Sequence, residues 1–130
     1  MSKQPIEYLR HILDECRFIL TATSDMIKDQ LLESEVMKRA IVRSLEIIGE
    51  ASKKIPADIK LKWHTINWKN MAGMRDRLIH DYMGINYSIV WDVVRNKIPE
   101  LEKQIAGAIN SREFDTKNFN FNRDEANDYE

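Results

Sequence analysis

Between Asn67 and Tyr82 the sequence lays down an apolar stripe and then interrupts it with a fixed charge. Successive residues of an α-helix turn by about 100°, so Trp68, Met71, Ala72, Leu78 and Ile79 share one face, with Arg75 in its middle. A guanidinium stays charged and is costly to bury alone, so any fold that accepts this helix must bring a partner to Arg75. His80, five residues later, points roughly 140° further round. Tyr82, at seven residues, returns to within about 20° of Arg75 and lies about 10 Å further along an ideal helix. Arg75, His80 and Tyr82 therefore cluster only near a helix end or at a seam between subunits.

The flanking sequence is helical in pattern throughout. Pro5 suits a first helical turn, and apolar positions from Ile6 to Ile27 recur every three or four residues, which predicts a helix to about Lys28. Residues 29–34 are polar or ambiguous in pattern. Ser34 is placed to cap a second helix over 35–55, with Met37, Ile41, Leu45, Ile48, Ala51 and Ile55 as its stripe and Pro56 as its stop. Gly49 and Ala51 are small residues in that run. Glycine costs about 1 kcal/mol against alanine inside a helix, so a close backbone approach is the expected compensation. Residues 56–66 read as a connector with room for a helical turn or two.

Asn67 is a cap for the helix that carries Arg75, and Gly84 is expected to end that helix in the left-handed conformation, leaving His80 and Tyr82 in its last turn. Asn86 or Ser88 opens a further helix that Pro99 either kinks or restarts, with the pattern resuming to about Asn110. No segment alternates like a strand, so the fold class is all-α. Residues 1–110 form one helical domain. From 111 the composition shifts to six acidic against three basic residues, rich in Asn but with Phe114, Phe119, Phe121 and Tyr129, which predicts a tail that is mobile or docks as an extended strap.

Composition narrows the function classes. A net charge of −1 gives no overall attraction to nucleic acid, so any such site is a local patch. The single cysteine, Cys16, excludes an internal disulfide and reads as a small core residue. His11, His64 and His80 show no ligand spacing, so neither a metal nor another cofactor is expected. The absence of a signal pattern or a long apolar run points away from the membrane and toward the cytoplasm.

Arg75, four residues, His80, one residue, Tyr82: this spelling resembles the signature of HepT-type toxins, a branch of the HEPN superfamily of small helical RNA-binding nucleases. The segments 41–51, 68–84 and 90–101 are similar to the family's helices in the same order, and the likeness spans about residues 5–110. It implies an antiparallel helical bundle that forms a homodimer. It also implies a metal-independent endoribonuclease toxin of a type VII-like toxin-antitoxin pair, with Arg75 and His80 catalytic. Its partner would be a nucleotidyltransferase antitoxin of the MntA type that transfers AMP to Tyr82.

The residue types suit that chemistry. RNA is cleaved without a metal when a base removes the 2′-hydroxyl proton, an acid protonates the leaving 5′-oxygen and a cation stabilises the phosphorane. Histidine titrates near neutrality, and arginine offers a charged fork that matches two phosphate oxygens. Glu46 or Glu50 is expected to orient Arg75, and Asp76 to hold His80 one turn on. Arg77, Lys69 and Arg43 are candidate RNA contacts. Trp63, Trp68 and Trp91 are core residues before they are base-stacking platforms. A plainer reading has Arg75 paired internally with Glu46 or Glu50 and His80 merely packing. An alternative function is a non-catalytic HEPN-like adaptor that binds a nucleotidyltransferase and presents its substrate.

Overall fold

A computed structural model describes residues 4–111, with the backbone alone at position 82. The described residues are helical without strands. Helices α1 (Pro5–Ala22), α2 (Lys28–Glu33), α3 (Glu35–Lys53), α4 (Ala57–Lys62) and α5 (Trp68–His80) are followed by a tight 3-10 turn at Tyr82–Gly84. Then come α6 (Tyr87–Asp92), a wide π turn over Val93–Lys97 and α7 (Ile98–Ile109). The tail beyond Ser111, for which a docked or mobile strap was expected, lies outside the described residues.

Helix starts follow local chemistry. The Ser34 hydroxyl accepts from the Met37 N–H at 3.0 Å, and the Asn67 side chain accepts from Asn70 N–H at 3.1 Å. Asn86 takes the N–H groups of Ser88 and Ile89, so it, rather than Ser88, opens α6. Each cap satisfies donors that the first helical turn leaves without partners.

Helix α1 stops at Ala22, six residues before the expected Lys28. There the run Thr21-Ala22-Thr23-Ser24 offers side-chain oxygens to the backbone: Thr23 Oγ1 donates to the Ile19 carbonyl at 2.8 Å and Ser24 Oγ to Thr21 at 3.1 Å. The chain turns, leaves Ile27 61% exposed and builds α2 where no element was expected, with Leu31 fully buried beneath it. Gly84 is a second correction. It has no positive φ, since α5 has already ended at His80, and the reversal is made by the 3-10 turn with a Gly84 N–H to Asp81 carbonyl bond of 2.8 Å.

Helix α3 is the centre of the bundle, packed along α1 on one side and α5 on the other, while α7 closes against α1. The apolar faces meet in one core of Leu9, Ile12, Ile19, Ile41, Leu45, Ile48, Val94, Ile98 and Ile105, all essentially buried. Arg17 pairs with Glu102 at 3.1 Å across α1 and α7, and Gln104 Nε2 donates to the Thr65 carbonyl at 3.3 Å. Pro99 restarts the last helix. The Ile98 N–H reaches back to Val93, and this wide turn moves the preceding carbonyls away from the proline ring, which has no N–H of its own. Trp68 is buried with its indole N–H on the Trp63 carbonyl, and Trp63 and Trp91 lie against the core.

Burial within this core pushes the Cys16 thiol up to about 12, with Glu102 and Glu15 adding to the effect. The thiolate is the reactive species, so a disulfide reagent at pH 8 should label the native protein at least about a hundredfold more slowly than the denatured chain. Equal rates, read by absorbance of the released thiol, would mean that Cys16 is not sealed in the core.

Candidate active site

Arg75 reaches its place because α3 gives way. A Cβ on Gly49 would run into Arg75 Cβ and would stand 2.7 Å from the Met71 carbonyl oxygen, so only glycine allows α3 and α5 to approach this closely. The expected compensation for a mid-helix glycine is thus present, and the residue that needs it is Arg75. Its guanidinium then lies along α3, where Nη2 donates to Glu50 at 3.2 Å and Nη1 to its own neighbour Asp76 at 3.2 Å. Glu50 is therefore the carboxylate of α3 that meets Arg75. Glu46 instead accepts from Arg43 at 3.4 Å, one turn along its own helix.

Asp76 has a third partner that the sequence reading missed. Lys53 Nζ donates to it at 2.7 Å, so Asp76 bridges α5 to the end of α3 and does not hold His80, the role expected of it. A carboxylate takes the nearest cations, and Lys53 at the end of α3 and Arg75 beside it on α5 are both within reach. The signal was legible in part, because Lys53 follows Gly49 by four residues and so shares its face. Lys53 first and Arg75 second hold the Asp76 carboxyl below the usual carboxylate range. The hydrogen bonds of Asp76 and then Glu50 raise the Arg75 guanidinium further above its ordinary value. A depressed carboxyl contributes stability above its unfolded pKa of about 3.9 and loses it on acidification, so the network is intact throughout the neutral range.

A guanidinium has five N–H donors. Glu50 and Asp76 engage one hydrogen on each terminal nitrogen, and Nε is buried without an acceptor among the described residues. Arg75 is thus fixed in direction with donors in reserve, which is what binding a phosphate oxygen requires.

His80 is the last residue of α5, exposed to solvent and without a hydrogen-bond partner among the described residues. The backbone leaves the helix at Asp81 (φ −108°, ψ 28°), which places Tyr82 in the 3-10 turn. The expected return of Tyr82 to the Arg75 face along a continuous helix is therefore corrected. Ile79, expected on the buried stripe, is 39% exposed beside His80, and Met83 is 85% exposed. One chain thus joins Arg75, Asp76, Glu50 and Lys53 by hydrogen bonds, while His80 is exposed at the end of the same helix and bonded to none of them. Of the other candidates, Arg77 is exposed on the last turn of α5, Lys69 on its first, and Arg43 is tied to Glu46. Among the described residues no three His, Cys, Asp or Glu side chains converge as a metal site would need, and no helix is long and apolar enough to cross a membrane.

A small helical bundle with an anchored arginine and an outward histidine five residues apart on one helix defines a HEPN-type protein. The chain belongs to the Ribonuclease HepT-like family, whose profile matches residues 12–107 and so takes in both Arg75 and His80. It is 48% identical over 103 residues to "Putative RNase TTE0752" of Caldanaerobacter subterraneus subsp. tengcongensis, covering 79% of this chain and 92% of that one. Identity to "Putative RNase MJ0127" of Methanocaldococcus jannaschii is 43% over 119 residues, covering 91% and 98%. Identity to "Probable ribonuclease HepT" of Thermococcus cleftensis is 38% over 102 residues, covering 78% and 93%. No solved structure matches the chain.

Proposed function

We propose that the protein is a metal-independent endoribonuclease that works as a two-fold dimer in the cytoplasm, the toxin of a toxin-antitoxin pair. The observation that carries this reading is His80: an exposed histidine, without a hydrogen bond among the described residues, at the end of the helix whose Arg75 is oriented by Glu50 and Asp76. A single chain supplies one histidine and one arginine. A second chain apposed through the exposed Ile79 and Met83 region would bring two of each to one cleft, because a two-fold axis duplicates whatever lies beside it. One His80 then removes the 2′-hydroxyl proton, Arg75 stabilises the phosphorane and a protonated His80 serves the leaving 5′-oxygen. The products are a 2′,3′-cyclic phosphate and a 5′-hydroxyl.

Control falls to Tyr82. Its hydroxyl oxygen attacks the α-phosphorus of ATP on a cognate nucleotidyltransferase, pyrophosphate leaves, and the chain keeps an AMP group two residues from His80. The added phosphodiester puts negative charge beside His80, where an RNA phosphate must sit, and the adenine adds bulk on the same approach.

Two measurements test the reading. Cleavage should persist in EDTA and leave a cyclic phosphate. After incubation with ATP and the partner, intact-mass and peptide analysis should find AMP on Tyr82 with cleavage abolished and the dimer retained, while Tyr82→Phe escapes both effects. A magnesium requirement would overturn the chemistry, and a modified protein that stays fully active would remove Tyr82 as the switch. A protein that binds the nucleotidyltransferase but never cuts RNA would be an adaptor instead.

A further inference from the structure

At the opposite end of α5 from His80, the connector from α4 folds into an open depression of about 440 Å³. Its floor is the buried Ile66 and Trp68, and its rim carries Lys60, His64 and Lys69. The polar groups that share the lining are already in use: the Thr65 carbonyl accepts from Gln104, and the Asn67 side chain caps α5. The three cationic or basic side chains are not. Among the described residues none of them has an ion-pair or hydrogen-bond partner, and no carboxylate lines the depression. Most other cations of the α3–α5 face are committed, Lys53 and Arg75 to Asp76 and Glu50, and Arg43 to Glu46.

The depression is in line with the candidate active site. Lys69 and His80 are eleven residues apart, and eleven steps of about 100° close three turns to within about 20°, at a separation of roughly 16 Å along the helix. Two residues lie on the same line between them. Gly73 leaves open space, since a Cβ there would meet nothing within 4 Å. Asp76 is the one acid on the line, and its charge is countered by Lys53 at 2.7 Å and Arg75 at 3.2 Å. A polyanion laid from His80 toward Lys69 therefore meets an uncrowded backbone and a neutralised carboxylate before it reaches unpaired cations.

We infer that the Lys60, His64 and Lys69 depression is a subsite for backbone phosphates of the RNA, several nucleotides from the bond that is cut. The inference rests on the ribonuclease reading for what happens at His80, but its binding surface is separate from that residue. It implies that the enzyme grips long strands better than short ones, with the grip independent of base sequence.

The test is the Lys60→Gln/Lys69→Gln double variant of the full chain, with circular dichroism as the fold control. Binding of end-labelled RNAs of about 20 and about 3 nucleotides is followed by fluorescence anisotropy over a range of salt. The longer RNA should bind roughly tenfold more weakly, and the slope of log K against log salt should shrink by about 1.4, the loss of two single-strand phosphate contacts. The trimer should bind unchanged, and the turnover number on the longer RNA should stay at the wild-type value while KM rises. If wild type cleaves RNA and the variant matches it in affinity and salt slope, the subsite is wrong and the ribonuclease reading stands. If wild type never cleaves, yet the variant loses the longer RNA as stated, the subsite stands and the catalytic reading falls. Tighter RNA binding by the variant would overturn the inference.

Discussion

His80→Ala should lower the rate of RNA cleavage by at least about a hundredfold and leave the fold untouched. General acid-base assistance is typically worth about 10² to 10⁴ in rate. The side chain is exposed and makes no hydrogen bond among the described residues, so its truncation removes chemistry and almost nothing else. Arg75→Ala should lose at least as much activity for two reasons at once, because it removes the phosphorane's cation and strands Glu50 on α3. Arg75→Lys separates them: the charge remains while the fork that spans Glu50 and Asp76 is lost. Single-turnover cleavage in EDTA, with circular dichroism alongside, gives the answer. A His80→Ala protein that cuts RNA at the wild-type rate would end the proposed chemistry.

The second large effect belongs to a residue with no functional group. Gly49→Ala should lower stability by about 1 to 3 kcal/mol, the usual cost of forcing atoms into a packed contact. The obstacle includes the Met71 carbonyl oxygen at 2.7 Å, which is backbone and cannot swing aside, besides Arg75 Cβ and its Cγ at 3.0 Å. Helices α3 and α5 must part, and Arg75 then loses its register with Glu50, so cleavage falls together with stability. Gly73→Ala is the control within α5. Nothing crowds that position, and alanine should add up to about 1 kcal/mol through helix propensity alone. Urea denaturation of the two variants should therefore give midpoint shifts of opposite sign. Shifts of the same sign and size would mean that the Gly49 contact does not set the spacing.

What could be read in advance was whatever depends on a few neighbouring residues. Ser34, Asn67 and Asn86 cap their helices because the donors they satisfy lie two or three residues away. The apolar stripes of α1 and α3 located the core for the same reason. A glycine inside a helical pattern pointed to a close approach at Gly49, although periodicity could not name Arg75 as what approaches. The failures are those of competition and distance. Whether Thr23 continues a helix or ends it depends on which carbonyl its hydroxyl finds, and the apolar residues beyond it kept the helical period going in the sequence. Asp76 had a candidate partner one turn away in His80, yet it pairs with Lys53, 23 residues off in the chain, because α3 and α5 pack side by side. Lys60 and His64 carried no motif at all. Only the path of the connector over Ile66 and Trp68 sets them around one hollow with Lys69.

The wide turn at Val93–Lys97 does more than make room for Pro99. Each residue taken up there without advancing a normal turn rotates everything downstream by about 100° relative to everything upstream. Counted at about 100° per residue, an unbroken helix would hold Val90, Leu101, Ile105 and Ala108 on one stripe within about 60°; the turn offsets Val90 from the other three, and α6 packs on α2 while α7 packs on α1. Residues 87–109 are in effect two helical rulers read against one core, and the offset between them is set by a single backbone irregularity.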